Sequence, residues 1–592
     1  MIMKMKVRSG LLMATLIFSW SVQAQEVETT KDESAAQTDR SPAPVQAETT
    51  EAQKFVAPES TVVQLGDIPA VPAQEQQEAE RLIDEAKIRA QEDASAATQE
   101  APVPENALRI NYIPESIKEE IRAQVRSELR ADVVQDVLVQ AKNEQWGMPQ
   151  ALPGWVSKIT WKGDVRTRIQ SDVYADGNAV YSGGGATLGY YDFPTINSKG
   201  GYGKTDVEDA FLNTTEDRER MRLRARLAMD AKVNTELKAK LRLSTGSQKD
   251  PVSTNQTLGQ YSNQYQVFMD RAYLKYDPVN VEAYPWLTVY GGRMDNPWIS
   301  TDLVWDSDLA FEGIAATYRR NLRGGDNLLD MSEHDRTLFF TLGAFPLQEV
   351  AIDVRDKWIY GAQIGTEMVF TDQSQFNLGL AYYQFRNITG VRNPVLDGTD
   401  TDFTAPSYMQ KGNTVFDIRN DNDTDTDLWA LAAEFKELNL TLSYDFAQWA
   451  PLHVVATADV VKNLGYNKDN ILKRTQGAQV ERSGGTKSGE DPLKERTLGY
   501  HMMVSVGWPL VAERRTWRFF GGYKHLERDA VVDAFTDSDF HLGGTDAEGW
   551  YLGGEYALID NTVLSLRWLS SDAIDSAPFG VDTLQIDLTA KF

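Results

Sequence analysis

From Trp155 to the C-terminus, apolar and polar residues alternate with a period of two. Ile159, Trp161, Gly163, Val165, Thr167 and Ile169 interleave with Thr160, Lys162, Asp164, Arg166, Arg168 and Gln170. Further on, Met221, Leu223, Ala225, Leu227, Met229, Ala231 and Val233 interleave with Arg220, Arg222, Arg224, Arg226, Ala228, Asp230 and Lys232. A strand turns successive side chains to opposite faces, so each run predicts a β-strand with one apolar and one charged face. The same pattern fits a half-buried soluble sheet. Four features point to a membrane instead. Many runs are about twice the ~5–6 residues of an ordinary strand. Tight turns alternate with links of dozens of residues. The apolar faces often end in Trp, Tyr or Phe, as an interfacial girdle requires. The chain stops on an alternating run in which Leu584, Ile586, Leu588, Ala590 and Phe592 share one face.

About sixteen such runs are present, an even count that suits a closed antiparallel transmembrane β-barrel. They begin near Lys158, Arg220, Glu236, Gln266, Trp286, Ala310, Arg336, Lys357, Gln375, Leu428, Leu438, Leu498, Arg515, Gly549, Thr562 and Val581. Short links fall at Asn234-Thr235, 371–374, Lys436-Glu437 and Asp560-Asn561, and long ones at 171–217, 245–265, 387–427 and 448–497. The first set is expected in the periplasm and the second outside the cell. The link 321–335 breaks this parity, which means either a misplaced strand or an insertion in a periplasmic turn.

Ahead of the barrel the period is that of a helix. Ile117, Ile121, Val125, Leu129, Val133 and Val137 recur every fourth residue among charged neighbours, with Pro114 near the start and Gly147 and Pro149 at the end. This predicts an amphipathic helix whose stripe drifts and is not a clean heptad. It is compatible with an oligomerisation coil, a plug or stalk, or a helix packed on its own barrel mouth. Lys4, Lys6 and Arg8 precede an apolar run over 11–20 and the small residues of Val22-Gln23-Ala24, which predicts a secretory signal cut after Ala24. The run is shorter than the ~20 residues a membrane helix needs. The chain therefore divides into a signal peptide (1–24), an acidic Pro/Ala/Gln-rich disordered linker (25–106) with a short helix near 75–93, a periplasmic amphipathic helix (107–150) and the barrel (151–592).

Composition narrows the partners. The chain contains no cysteine, which suits export through an oxidising compartment and rules out a lipid-attachment site. A net charge of −26 argues against nucleic acid. The expected surroundings are outer-membrane lipid and lipopolysaccharide, with the barrel-assembly machinery reading the terminal Phe592 as a sorting signal.

Arg220, Arg222, Arg224 and Arg226 decide which face meets lipid. One Arg on the lipid face near mid-bilayer costs about 2–4 kcal/mol, so four there would cost on the order of 10 kcal/mol. They are expected to line the lumen, in a basic wall with Arg166 and Arg168 on the preceding strand and Lys238, Lys240 and Arg242 on the next. A wide charged interior means enclosed water, unless the arginines pair internally and seal it. The third extracellular link, over 294–309, carries Asp295, Asp302, Asp306 and Asp308 beside Trp298 and Trp305. Folded inward against the basic wall, it would form a constriction with a transverse field; otherwise it is a solvated surface loop. Asp421, Asp423, Asp425 and Asp427 alternate in a loop and could meet Ca²⁺ through oxygen, but they lack EF-hand spacing, and a solvated acidic loop is the plainer reading. Asp533, Asp537 and Asp539 read the same way. The histidines are scattered, no HExxH or GxSxG motif occurs, and no cofactor, metal site or enzymatic activity is expected.

Six stretches resemble the proteobacterial "putative porin" family of outer-membrane barrels. They are IPESIKEEIRAQVRSEL (113–129), WVSKITWKGDVRTR (155–168), GGRMDNPW (291–298), WDSDLAFEG (305–313), DFHLGGTDAEGWYLGG (539–554) and the closing VDTLQIDLTAKF (581–592). The GGR…WD…FEG combination is the more specific part, and the terminal Phe is shared by many barrel families. The resemblance spans 113–592 and leaves 25–106 unmatched. It implies an outer-membrane channel and leaves its solute open. The expected function is a porin, a water-filled pore for passive diffusion of small polar or charged solutes, with a homotrimer compatible with the helix. Two alternatives are a structural or adhesive barrel anchored through the periplasmic helix, and an outer-membrane hydrolase with a Ser/His site built from distant strands.

Overall fold

A computed structural model describes residues 158–592 except 181–188, 279–284, 323–335, 352, 397, 422 and 486–490. The expected signal peptide, linker and amphipathic helix lie outside the described residues.

Sixteen strands form the wall. The first eight are β1 (Ile159–Tyr174), β2 (Arg218–Lys232), β3 (Leu237–Ser244), β4 (Phe268–Tyr276), β5 (Leu287–Met294), β6 (Phe311–Asn321), β7 (Arg336–Gln348) and β8 (Lys357–Val369). The second eight are β9 (Gln375–Arg386), β10 (Lys436–Phe446), β11 (His453–Asn463), β12 (Leu498–Gly507), β13 (Trp517–Leu526), β14 (Ala547–Ile559), β15 (Thr562–Ala573) and β16 (Gly580–Lys591). Each pairs antiparallel with the next. The ring closes where β16 meets β1, from Asp164↔Lys591 to Tyr174↔Val581. At that seam Gly163 N–H donates to the Phe592 carbonyl (2.8 Å) and Phe592 N–H returns to the Gly163 carbonyl (3.0 Å). The Phe592 ring lies over Gly163, where an added methyl would fall 2.4 Å from the ring carbon Cζ.

Burial runs opposite to that of a soluble protein. On β1, Ile169 is 53% exposed while its neighbours Arg168 and Gln170 are 4% and 1% exposed. The same phase holds elsewhere: Leu438, Leu440 and Leu442 face out from β10, and Leu584, Ile586 and Leu588 from β16, with Asn439, Thr441, Gln585 and Asp587 buried between them. An apolar outer face and a polar inner face are what a barrel in hydrocarbon requires. Among the described residues no helix is long and apolar enough to cross a membrane.

Link lengths alternate around the ring. One end carries the turns 233–236, 370–374, 447–452, 508–516 and 560–561, and the other carries 175–217 (L1), 245–267 (L2), 295–310 (L3), 387–435 (L5), 464–497 (L6) and 527–546 (L7). The shorter links 349–356 (L4) and 574–579 (L8) complete the long-loop end. L5 and L6 also join in a small sheet of Val415–Asp417, Trp429–Leu431 and Val480–Glu481, buried among the loops.

The strand expected at Leu428 is therefore corrected. Its apolar run belongs to that buried sheet, and the expected turn at Lys436-Glu437 lies in β10, where Glu437 faces Asn463. A strand hidden in the expected long link 448–497 takes its place. β11 reads HVVATADVVKN, apolar in both phases, so its alternation is blurred. The irregular link after Asn321 is an insertion, because Asn321↔Thr337 pair directly across it.

Charge on the outer face should be costly. Ile364, midway along β8 and pointing outward, should destabilise the barrel by about 2–4 kcal/mol when changed to Arg, read by urea titration in lipid vesicles.

Candidate functional site

L3 folds into the barrel because the wall makes room for it and its apolar residues have nowhere better to go. Leu303, Val304 and Trp305 are almost fully buried, and burial is worth about 1.5–3 kcal/mol for a Leu or Val side chain. Trp298 packs on Tyr383 (5.3 Å between ring centres) and Phe345 (6.1 Å), and Trp305 on Phe311 (5.0 Å) and Tyr383 (5.1 Å). The inner face opposite carries glycines. A methyl at Gly361 would fall 2.6 Å from Trp298, and one at Gly343 3.0 Å from it. Across the lumen, Ile299 N–H donates to Gln363 Oε1 (2.9 Å) and the Gln363 amide returns to the Ile299 carbonyl (2.8 Å). Thr301 gives both its N–H (3.0 Å) and its hydroxyl (2.6 Å) to Asp459 Oδ2. The loop thus runs from β5 to the far wall and back to β6.

Its four expected carboxylates have four different partners. Asp295 contacts Arg271 and accepts from the Tyr273 hydroxyl (2.6 Å). A bulge beside Arg242 turns both Asp270 and Arg271 inward, which puts Arg271 in reach. Asp302 lies 3.3 Å from Lys524 Nζ and 3.4 Å from His501 Nδ1. Burial works against its ionisation, but the Lys524 ammonium and His501 outweigh that and hold the carboxyl at about 2. Asp306 accepts N–H groups from Asp308 (2.6 Å) and Ser538 (2.9 Å); burial, with Asp537 close by, pushes it well above the usual carboxylate range. Asp308 accepts from Thr254 N–H (3.1 Å) and hydroxyl (2.9 Å) and reaches Arg226 at 3.4 Å; burial opposes its charge, but Arg224, the Thr254 donors and Arg226 keep it low.

All nine expected basic residues lie on inward phases of β1, β2 and β3, where cross-strand register sets Arg166 opposite Arg224 and Arg168 opposite Arg222. Most meet carboxylates rather than forming a bare positive wall. Arg168 forks onto Asp587 (2.7 and 2.9 Å) and reaches Asp539 of L7 (2.9 Å). Arg166 is 3.6 Å from Asp587 and donates to Asn255 (2.5 Å). Arg220 pairs with Asp172 (2.5 Å), and Arg224 (3.0 Å) and Arg226 (2.7 Å) share Asp164. Lys238 is 3.9 Å from Asp277, Lys240 is 3.8 Å from Asp230, and Arg242 contacts Asp270. Arg222 alone of the nine has no ion pair among the described residues, and its donors reach Gln170 Oε1 (3.3 Å) and Ser253 Oγ (3.4 Å).

Several lumen groups escaped the sequence reading. Lys524 bridges Asp302 of L3 and Asp537 of L7, each at 3.3 Å, and Arg567 joins Arg168 on Asp539. Lys524 lies on β13 and Arg567 on β15, strands for which the sequence reading supplies only the starts. Above them, L7 and L8 are tied by Arg528 and Asp575, with Arg482 of L6 on the same carboxylate (2.9 Å). Thr414 of L5 gives its N–H (2.9 Å) and hydroxyl (2.7 Å) to Asp529. A cavity of about 550 Å³ lies on the short-turn side of L3, lined by Asp302, Glu367, Thr441, Thr457 and His501. Cavities of about 350 and 1000 Å³ lie on its long-loop side, the smaller touching Arg220 and Arg222. The acidic run at Asp421 is wound into turns: Asp421 accepts from Asp423 N–H (3.1 Å) and Asp423 from Asp425 N–H (3.0 Å). Among the described residues no group of three His, Asp or Glu is placed to hold a metal.

A family model described as "Putative porin" matches residues 71–592. No curated protein matches the chain in sequence. In structure the chain is similar to the outer-membrane channel DcaP of Acinetobacter baumannii (11% identity, TM-score 0.35, covering 73% of this chain and 97% of that one). It is also similar to Salmonella typhi OmpF in complex with daunomycin (10%, 0.34, 73% and 97%) and to Pseudomonas putida OprB (8%, 0.39, 74% and 95%).

Lys524→Met would leave Asp302 and Asp537 without their shared cation. Because the Asp302 side chain stays 35% exposed, the loss should be about 1–3 kcal/mol in urea unfolding. The Asp302 carboxyl is lowered in the fold, so its contribution is present above the ordinary carboxylate range near 3.8 and is lost as pH falls through about 2. Hydrogen exchange of peptide 295–310 should therefore stay protected at about pH 3 and open at about pH 1.5.

Proposed function

The chain belongs to the "Putative porin" family, and on that premise we propose how its barrel conducts. It is an outer-membrane porin. Small polar or charged solutes diffuse passively through the lumen, past L3 and along the wall of β1 to β3. The observation that carries this reading is the inverted barrel: an apolar exterior around an interior lined by Arg168, Gln170, Asp459, Gln585 and Asp587. Charge placed inside a closed ring keeps water there. L3 acts as the constriction, with Asp302 and Asp308 on it and the arginines of β1 and β2 facing it. Pairing within the wall, and between the wall and L3 where Arg226 meets Asp308, reduces the transverse field to what the less compensated cations supply. We therefore assign the pore a mild anion preference and a charge filter weaker than nine free cations would give.

A second reading has its own observation in favour. The buried knot of Arg482, Arg528, Asp529 and Asp575 binds L5 to L8 together over the lumen. That arrangement would also suit a plugged, structural barrel. A hydrolase is less well supported: His541 Nδ1 and Ser571 Oγ are 3.0 Å apart, but both are buried, and the ring packs on Phe579.

Planar-bilayer recording decides between channel and plug. The purified protein should give discrete conductance steps, with a reversal potential in a KCl gradient displaced toward chloride. Steps that never appear, with or without residues 25–150, would favour the plugged barrel. A trimer is the expected assembly, tested by cross-linking in native membranes. The terminal aromatic is assigned to assembly: its ring over Gly163 closes the seam at the last register position. Deleting Phe592 should cut the folded, heat-modifiable form in outer membranes several-fold while leaving synthesis unchanged.

A further inference from the structure

We propose that Arg222 anchors a binding station for a monocarboxylate with an aromatic or branched apolar body, on the long-loop side of L3. The proposal rests on the porin reading for how such a solute arrives, but the site itself is argued from its own geometry.

Arg218, Arg220 and Arg222 stand at every second position on the inner face of β2, about 7 Å apart along the strand. Their compensation is unequal. Arg220 is tied to Asp172, and Arg168, which faces Arg222 across the ladder, is saturated by Asp587 and Asp539. Among the described residues Arg222 has no carboxylate within 4.0 Å. Its two hydrogen bonds are long and go to neutral oxygens, and its buried Nε has no partner among the described residues. A guanidinium with a fork to spare, set opposite another guanidinium, favours an anion.

The space beside it is a cavity of about 350 Å³, within the range of about 300–1000 Å³ usual for small-molecule sites. Gln170 and Ser253 supply polar neighbours on the Arg222 side. Tyr174, Leu212, Tyr408 and Phe579 supply apolar and aromatic surface. Two carboxylates also line the cavity, but their oxygens serve their own loops. Asp192 accepts from Thr195 N–H (3.1 Å) and hydroxyl (2.9 Å), and Asp250 accepts from Val252 N–H (3.2 Å) and the Tyr408 hydroxyl (3.3 Å). The nearby Lys411 ammonium is spent on the His541 and Gly543 carbonyls. Arg218 and the paired Arg220 line the same cavity, so the site offers the Arg222 fork among two further guanidiniums and two carboxylates. The fork matches a planar carboxylate, and Asp192 and Asp250 disfavour the more highly charged phosphate dianion. The aromatic flank matches a ring on the carboxylate.

The test is equilibrium binding of radiolabelled benzoate to the full-length protein in detergent, with benzyl alcohol and inorganic phosphate as competitors. Saturable binding that neither competitor displaces is expected. Arg222→Gln should raise the half-saturating concentration at least tenfold, and Arg222→Lys should recover only part of the loss because an ammonium cannot fork. Unchanged binding in Arg222→Gln, or displacement by phosphate as effective as by benzoate, overturns the station. Should a variant fail to reach the heat-modifiable state, competition on the unaltered protein decides alone. Saturable benzoate binding without conductance steps overturns the porin reading and leaves the station standing; steps without saturable binding do the reverse.

Discussion

Every feature of this molecule follows from the fact that hydrocarbon offers no partner to a backbone N–H or C=O. An unpaired strand edge in the bilayer would cost several kcal/mol for each exposed group, so the sheet has to close. Closure is made by β16 returning to β1, and its last link is the reciprocal pair between Gly163 and Phe592. The same solvent inverts the side chains. Val165, Ile169 and Val173 can face outward only because Asp164, Arg168, Gln170 and Asp172 face inward. Once the ring is closed, the polar residues have no choice of side, and a charged interior follows from the fold before any solute is considered.

A charged interior raises its own problem. Arginines brought together across a ladder repel one another, and taking them out of bulk water is costly unless carboxylates come with them. The wall meets this strand by strand: Asp172 serves Arg220, Asp164 serves Arg224 and Arg226, Asp587 serves Arg166 and Arg168. The inner surface is therefore a lattice of alternating signs, and its selectivity comes from whatever the lattice leaves over. On β2 that remainder is Arg222 and, at the exposed end of the strand, Arg218.

Much of this was legible in the sequence, and the limits have physical causes. Period-two alternation gave fifteen of the sixteen wall strands, because a lipid face and a water face demand opposite chemistry at successive positions. It failed where one face lost its contrast. β11 has valine in both phases, and its inner side, at Val461, packs on buried loop residues instead of water. The run at Leu428 looked like a wall strand for the converse reason: it is apolar because loops cover it, and periodicity cannot tell loop from lipid as the apolar partner. The arginines were readable as inward-facing, since lipid forbids them. Their carboxylate partners were not, because Asp539 and Asp587 lie hundreds of residues away and only the ring brings them near. Lys524 and His501 were overlooked for the same reason.

L3 shows how a loop can be as fixed as the wall. Its position depends on absences as much as on contacts. The missing side chains at Gly343 and Gly361 open the seat into which Trp298 fits. Both glycines fall on the inward phase of their strands, at paired positions of β7 and β8, so the seat is a property of register. Trp305 then reaches the opposite direction, to Phe535 of L7, and Asp302 and Asp537 converge on one lysine. L3 and L7 are thereby held by a shared cation and a shared aromatic cluster, and neither can move without the other. A solute that widened the passage by displacing L3 would have to expose Leu303, Val304 and Trp305 and part Asp302 from Lys524 and Asp308 from Arg226 at once. On the proposed reading of L3 as the constriction, the passage is set by residues that are small or paired, and solutes select themselves by fitting around a fixed bar.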